Sequence, residues 1–275
     1  MTSQTHRVPI SNGVELYVRE DGERNAPSVI LSNSVMTNLT LWDALVESLH
    51  PHFHVVRYDQ RGHGKSSVGD ASTYTEKMNF DQYGKDLELL LKEIGVLQFH
   101  FIGLSMGVPT GLSLFKREAS RFLSFIAVDG VAKSAAGREA FWREHRELAR
   151  TDGMDIIARQ TAARWLHTGS KDQKLHQNLT EMIRETSVEG FAAATHALES
   201  YDFSAVVPTV NTPLLCIAGE LDGAMPDAMQ TQFGDRQNAQ FCNIEHAGHI
   251  PNFENPKAFN QAVMRFLNNV TSNIN

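Results

Sequence analysis

Residues 99–107 read Phe99-His100-Phe101-Ile102-Gly103-Leu104-Ser105-Met106-Gly107, and the next ten residues carry helical spacing. An apolar, aromatic-rich run of this length has the signature of a buried strand. A helix that begins directly after it leaves room only for a sharp turn at the serine. Such a turn tolerates no bulk two residues before or two after, and Gly103 and Gly107 meet that need. The Ser105 hydroxyl would then stand above the end of the strand, with the helix N-terminus facing any negative charge that develops beside it. The pattern G-x-S-x-G also arises by chance, so its weight comes from the strand–turn–helix setting.

Strands of the same kind recur on either side. Val8–Ile10 and Val14–Val18 flank Asn12-Gly13, which reads as a hairpin turn. Ser28–Leu31, His54–Tyr58, Phe125–Val128, Pro213–Ala218 and Gln240–Ile244 are further short buried strands, and helical spacing covers Leu39–Leu49, 226–233 and 256–268. Along Phe80–Ile94 the residues Tyr83, Leu87, Leu90, Leu91 and Ile94 share a face, and Gly95 stands where a C-cap would. This alternation predicts an α/β fold: a mostly parallel, eight-stranded sheet flanked by helices, with the opening hairpin as an antiparallel edge. Between 131 and 202 the alternation stops. Four helical patterns follow one another there; Met154, Ile157, Ala158, Thr161 and Trp165 share a face of one, and Leu175, Leu179, Met182 and Ile183 of another. The expected organisation is a core formed by 1–130 and 203–275, interrupted at 131–202 by a four-helix cap.

A nucleophilic serine needs a base, and the base needs an orienting carboxylate, usually in the chain order serine, acid, histidine for this arrangement. The last strand leads into His246-Ala247-Gly248-His249-Ile250-Pro251. His249, after the Gly248 turn, is the expected base, and His246 a loop residue. The strand at 213–218 leads into Gly219-Glu220-Leu221-Asp222-Gly223-Ala224-Met225-Pro226. Asp222, nearer the helix that Pro226 opens, is the expected acid, with Glu220 exposed or structural. Asp129, at the end of the strand 125–128, is a third candidate that could replace or assist Asp222, although a turn or helix-capping role before Gly130 is the simpler reading. The oxyanion needs N–H donors. Met106, directly after the nucleophile, would supply one; counting back seven residues from Trp42 points to Val35 for the other.

Together these segments resemble the α/β-hydrolase superfamily over essentially the whole chain, through Asp59-Gln60-Arg61-Gly62-His63-Gly64-Lys65-Ser66, Gly103–Gly107, the Asp222 loop and Gly248-His249. A narrower resemblance is to 3-oxoadipate enol-lactonases, which carry Ser-Asn-Ser in the oxyanion loop, as in Leu31-Ser32-Asn33-Ser34 here. Leu41-Trp42-Asp43, Arg57-Tyr58-Asp59, Gly153-Met154 and Arg164-Trp165 are similar too. The chain departs from that pattern at Val108-Pro109, around Ala119-Ser120-Arg121, and at Asp129, where those enzymes favour an uncharged residue. The resemblance implies a serine hydrolase opening a small, carboxylated lactone or an ester, with no metal or organic cofactor. Carbon–carbon bond hydrolysis by the same triad and a small-molecule receptor that keeps the triad are the competing readings.

The cap bears on the substrate. Residues 138–164 hold six arginines (138, 143, 146, 150, 159, 164), five acids and no lysine. A guanidinium presents a planar fork to a carboxylate, which suits an anionic substrate. Glu139–Arg143 and Asp155–Arg159 are spaced as helical ion pairs, the competing role for those arginines. Ser34, Trp142, Arg164 and Trp165 are the candidate substrate contacts, with Phe141 beside them and packing within the cap as the alternative for the aromatics.

The whole composition narrows the classes. The 275 residues carry 25 Lys and Arg against 32 Asp and Glu, a net charge of −7. An acidic chain without basic tracts argues against nucleic-acid or anionic-membrane partners. No apolar run approaches the roughly 18 residues of a membrane span, and the polar start MTSQTHRVPISNG lacks a signal-peptide core, which leads to a cytoplasmic expectation. Cys216 and Cys242 are too few for a disulfide scaffold or a four-ligand zinc site. An apolar patch on the cap would serve substrate entry or a homo-oligomer contact equally well.

Overall fold

Runs such as Val29-Ile30-Leu31 and Phe99–Leu104 have no polar alternation, as strands covered on both faces require. In the computed structural model, which describes residues 3–11, 13–69, 78–167 and 172–272, these runs form the centre of a sheet. The chain opens with β1 (Ser3–Ser11), β2 (Val14–Asp21) and β3 (Ser28–Ser32), followed by α1 (Asp43–Leu49), β4 (His54–Tyr58), α2 (Phe80–Glu93), β5 (Phe99–Leu104), α3 (Gly107–Glu118) and β6 (Phe122–Val128). Four helices come next: α4 (Arg138–Asp152), α5 (Met154–Trp165), α6 (Gln173–Arg184) and α7 (Val188–Glu199). The chain closes with β7 (Leu214–Gly219), α8 (Met225–Phe233), β8 (Ala239–Ile244), α9 (Pro251–Glu254) and α10 (Pro256–Ser272).

The eight strands lie in the order β1-β2-β4-β3-β5-β6-β7-β8. β1 pairs antiparallel with β2, and β2 antiparallel with β4; every other neighbour is parallel. The expected antiparallel hairpin edge is therefore present, although Asn12 of its turn lies outside the described residues. Every residue of β4, β5 and β7 is buried, whereas β8, at the far edge, buries only Ile244 fully. Among the described residues, no helix is long and apolar enough to cross a membrane.

Local signals place the helix ends. Asn79 and Gln82 form a reciprocal capping box at the start of α2, which satisfies two otherwise free N–H groups. At its other end Gly95 takes φ +75°, the left-handed geometry that ends a helix. The spacing over Leu39–Leu49 resolves into two pieces, a 3-10 turn at Leu39–Trp42 capped by the Asn38 side chain, then α1. β6 begins at Phe122, three residues before the expected strand, and there Phe122 packs on Phe99 and Phe115.

The four helices between β6 and β7 leave and rejoin the sheet at one neck. Lys133 and Asp202 form an isolated antiparallel bridge, their side chains make an ion pair of 2.9 Å, and Phe203 N–H donates to Ala132 O at 2.8 Å. Arg146, inside this segment, is buried and bonds Glu199 and Thr195, tying α4 to α7.

Candidate active site

Ser105 sits between β5 and α3 with φ +52°, a left-handed backbone that costs a non-glycine residue about 1–2 kcal/mol. The turn is held by its neighbours: Ser105 N–H donates to Val128 O at 2.7 Å. A Cβ on Gly103 would lie 2.5 Å from Gly107 O, and one on Gly107 would lie 2.3 Å from Ser32 O. Both glycines are thus demanded by close backbone approach, the second because the turn packs directly on the loop after β3.

That loop is clamped by buried polar groups. The Asn33 side chain accepts from Trp42 Nε1 at 2.7 Å and donates to Tyr58 O at 3.1 Å. Gln60 donates to Asn33 O at 2.7 Å and accepts from the Thr110 hydroxyl on α3 at 3.1 Å. Ser32 Oγ and the Tyr58 hydroxyl share a hydrogen bond of 3.1 Å. The segment at 59–66 is equally tied down: Asp59 accepts from the N–H groups of Leu39 and Lys65, and Ser66 donates to Asp59 O. Burial pushes the Asp59 carboxyl up to about 6 against these hydrogen bonds. Asn33, Gln60, Asp59 and Ser66 thus hold backbone rather than meet solvent, and Val35 follows directly on the loop they fix.

His249 Nδ1–H donates to Asp222 Oδ2 at 2.7 Å, which leaves Nε2 to accept from the Ser105 hydroxyl at 3.0 Å. The ring rests against Trp165 at 4.9 Å between centroids, and His249 N–H donates to Trp165 O at 2.9 Å. Asp222 is reached because the loops after β7 and β8 nearly touch; a Cβ on Gly219 would lie 1.8 Å from Gly248 O. Although burial works against ionisation, His249, a hydrogen bond from Asp129 and the charge of Arg164 hold Asp222 below the ordinary carboxylate range. His246 and Glu220 lie outside this chain of bonds; both are exposed, and His246 N–H donates to Glu220 at 3.3 Å.

Asp129 departs from its expected turn or capping role. It is wholly buried, with φ +39°, and its carboxyl accepts from Gly219 N–H rather than from a helix N-terminus. Donor atoms of Asp129, Asp222 and His249 lie within 4.8 Å of one another, close enough to hold a cation, but both His249 nitrogens are already engaged by Asp222 and Ser105.

A cavity of about 400 Å³ opens over Ser105 and His249. Of the expected site residues, Val35, Trp142, Arg164 and Trp165 line it. Ser34 does not; it is fully buried, its hydroxyl without a partner among the described residues. Neither Val35 nor Met106 donates its N–H to a protein acceptor among the described residues. Several lining residues escaped the sequence reading, among them Lys133, Leu198, Tyr201, Met225 and Gln232. Tyr201 follows α7 with no motif around it. Arg138, one of the six candidate arginines, also lines the cavity, and the six divide by whether they are paired. Arg146 bonds Glu199, Arg150 bonds Glu147, and Arg159 bonds Asp155 as expected. The expected Glu139–Arg143 pair does not form. Arg138 and Arg164 line the cavity and make no ion pair among the described residues; instead both guanidiniums lie over the Phe141 ring, at 4.8 and 5.2 Å, and Arg138 also over Trp142 at 5.2 Å. Partial burial draws both guanidinium pKa values down, and for Arg164 the charge of Arg138 adds to that.

The arrangement can deliver a hydroxyl nucleophile to an acyl carbon beside two unpaired cations. The family profile described as the alpha/beta hydrolase fold matches residues 27–256. Two 3-oxoadipate enol-lactonases of Acinetobacter baylyi are similar to the chain, one 30% identical with 98% of this chain and 99% of the relative covered, the other 32% identical with 88% and 89% covered. The crystal structure of an enol-lactonase from Burkholderia xenovorans superposes with a TM-score of 0.87 at 30% identity, covering 96% of this chain and all of that one.

Proposed function

The chain belongs to the alpha/beta hydrolase fold family, and from that premise we propose that it opens a small carboxylated lactone of the 3-oxoadipate enol-lactone type through Ser105, His249 and Asp222. It is a hydrolase, and its similarity to enol-lactonases supports esters or lactones as its substrate class. The observation that carries the finer reading is that Arg138 and Arg164, without ion-pair partners among the described residues, line the same cavity as the hydrogen-bonded Ser105 and His249. An unpaired guanidinium with one face on an aromatic ring keeps its N–H fork free for a carboxylate.

In this reading Ser105 Oγ attacks the lactone carbonyl carbon while its proton passes to His249 Nε2, and Asp222 stabilises the resulting imidazolium. The Val35 and Met106 N–H groups receive the oxyanion. Collapse breaks the ring C–O bond, and His249 returns the proton to the departing enol oxygen. The enol then tautomerises to a ketone, which draws the reaction forward. Water, deprotonated by His249, attacks the acyl-enzyme and frees the second carboxylate and the Ser105 hydroxyl. We assign residues 131–202, closed at the Lys133–Asp202 neck, as a cap that selects the substrate.

The test is acid release from 3-oxoadipate enol-lactone, saturated γ- and δ-lactones, acyl-homoserine lactones and p-nitrophenyl esters. The expected result is turnover of the carboxylated enol-lactone, reduced about 10⁴-fold or more in Ser105→Ala. Turnover of neutral lactones alone would remove the anionic substrate and keep the nucleophile. Silence across the panel with hydrolysis of a vinylogous diketone would replace ester chemistry with carbon–carbon cleavage.

A further inference from the structure

Asp129 ends β6, and the neighbouring strand β7 leads into the loop that carries Asp222. Its backbone is anchored by a hydrogen bond of 2.9 Å from its N–H to Ile217 O. Its side chain has two partners. Gly219 N–H donates to it, at 3.0 Å to Oδ1 and 3.2 Å to Oδ2, and the carboxyl of Asp222 faces it, an oxygen of each lying within 4.8 Å of the other. Two carboxyl groups can share a hydrogen bond only when one of them carries a proton. Asp222 keeps a fifth of its side-chain surface exposed and faces His249 and the positive field of Arg164, all of which favour its ionised form. Asp129 has no exposed surface and, among the described residues, a single N–H donor. A wholly buried carboxylate facing another at this range, with that little compensation, would be prohibitively destabilised.

We propose that Asp129 is a positioning residue that keeps its proton and donates it in a hydrogen bond to ionised Asp222, holding Asp222 in line with His249 Nδ1. Burial, with the charge of Asp222 next, raises the Asp129 carboxyl well above the ordinary range, in keeping with this geometry. The strained backbone then has a purpose: it aims a short side chain sideways from the end of one strand to the loop of the next. The triad becomes a chain of four groups, in which proton movement stops at His249 and Asp129 fixes only the angle and charge of Asp222.

The inference rests on the reading of Asp222 as the acid that orients His249, and the experiment separates the two. Asp129→Ala removes the donor; Asp129→Asn keeps the shape and an N–H that can point to Asp222. The expected result is a kcat about tenfold lower in Asp129→Ala with KM little changed, the size of one lost hydrogen bond to a charged group, and recovery of most of it in Asp129→Asn. The infrared difference spectrum of wild type minus Asp129→Asn at pH 7 should show the C=O band of a protonated carboxylic acid. It needs no turnover and so decides the matter even if Asp129→Ala fails to fold. Absence of that band overturns the proposal, as does an Asp129→Asn variant no better than Asp129→Ala, or an Asp129→Ala variant with full kcat. Failure of the triad reading would show separately, as turnover that survives Asp222→Ala.

Discussion

The loops around β3 and β4 and the helices α4–α7 both reach the same cavity, but they treat polar side chains in opposite ways. In the loops nearly all are engaged: Asn33, Gln60, Asp59 and Ser66 are buried and bond to side chains or backbone around them, Thr110 of α3 included, with Ser34 Oγ and His63 Nε2 the exceptions among the described residues. The helices deliver Arg138 and Arg164 to the cavity without an ion-pair partner. A satisfied network makes a rigid platform, whereas an unpaired cation beside a cavity retains its capacity to bind. Under the proposed function the difference teaches that reaction and selection are housed separately, the first in what the sheet holds still and the second in what the helices leave unpaired.

The division can be broken at several levels. The severest test is His249→Ala, which should lower kcat by about 10⁴-fold or more on any ester the protein accepts, with burst kinetics as the readout. Survival of turnover would mean that the reaction is not run from the sheet. Asn33→Ala should reach the reaction indirectly: it unpairs Trp42 Nε1 and frees the loop that bears Val35. We expect kcat lower by about 100-fold, the cost of mispositioning by around an ångström, and an unfolding free energy lower by about 2 kcal/mol in urea titrations. Arg138→Ala and Arg164→Ala should each raise KM for a carboxylated lactone about tenfold, with kcat nearly unchanged, and leave a neutral ester unaffected. Equal losses on both substrates would erase the distinction.

Protons give a further test, on stability rather than turnover. Desolvation lowers His100, buried in β5, to about 4, so its neutral form is favoured in the folded chain. Its stabilising contribution is fully present above the unfolded value of 6.5 and is withdrawn as pH falls toward 4. Between pH 7 and 4.5 the His100→Gln variant should lose about 2–3 kcal/mol less stability than the wild type, measured as the shift in urea midpoint at the two pH values. The arginines keep their charge over that range, so acid should loosen the sheet while leaving the selecting end intact.

What could be read from the chain follows the same line. Ser105, Asp222 and His249 stand out because each sits at the end of a strand pattern with turn residues beside it, and these local signals survive in one dimension. Val35 could be counted back from Trp42 for the same reason. Asp129 could not be placed, because its meaning comes from Gly219 and Asp222, some 90 residues away, and only the adjacency of β6 and β7 brings them together. The pairing of the arginines was half visible. Asp155–Arg159 lies within one helix, but Arg146–Glu199 joins two, and periodicity says nothing about which helices meet. Tyr201 carried no signal at all, since it enters the cavity only through the path of the chain after α7.

The bridge between Lys133 and Asp202 puts the two ends of a 68-residue excursion at neighbouring strand positions, roughly 5 Å apart. Topologically the excursion is a side loop: the chain could be cut at both ends and rejoined by a short turn without re-routing any strand of the sheet. A segment attached in this way is free to be lengthened, shortened or exchanged while the reaction beneath it is inherited unchanged, so a new appetite needs only a new graft between β6 and β7.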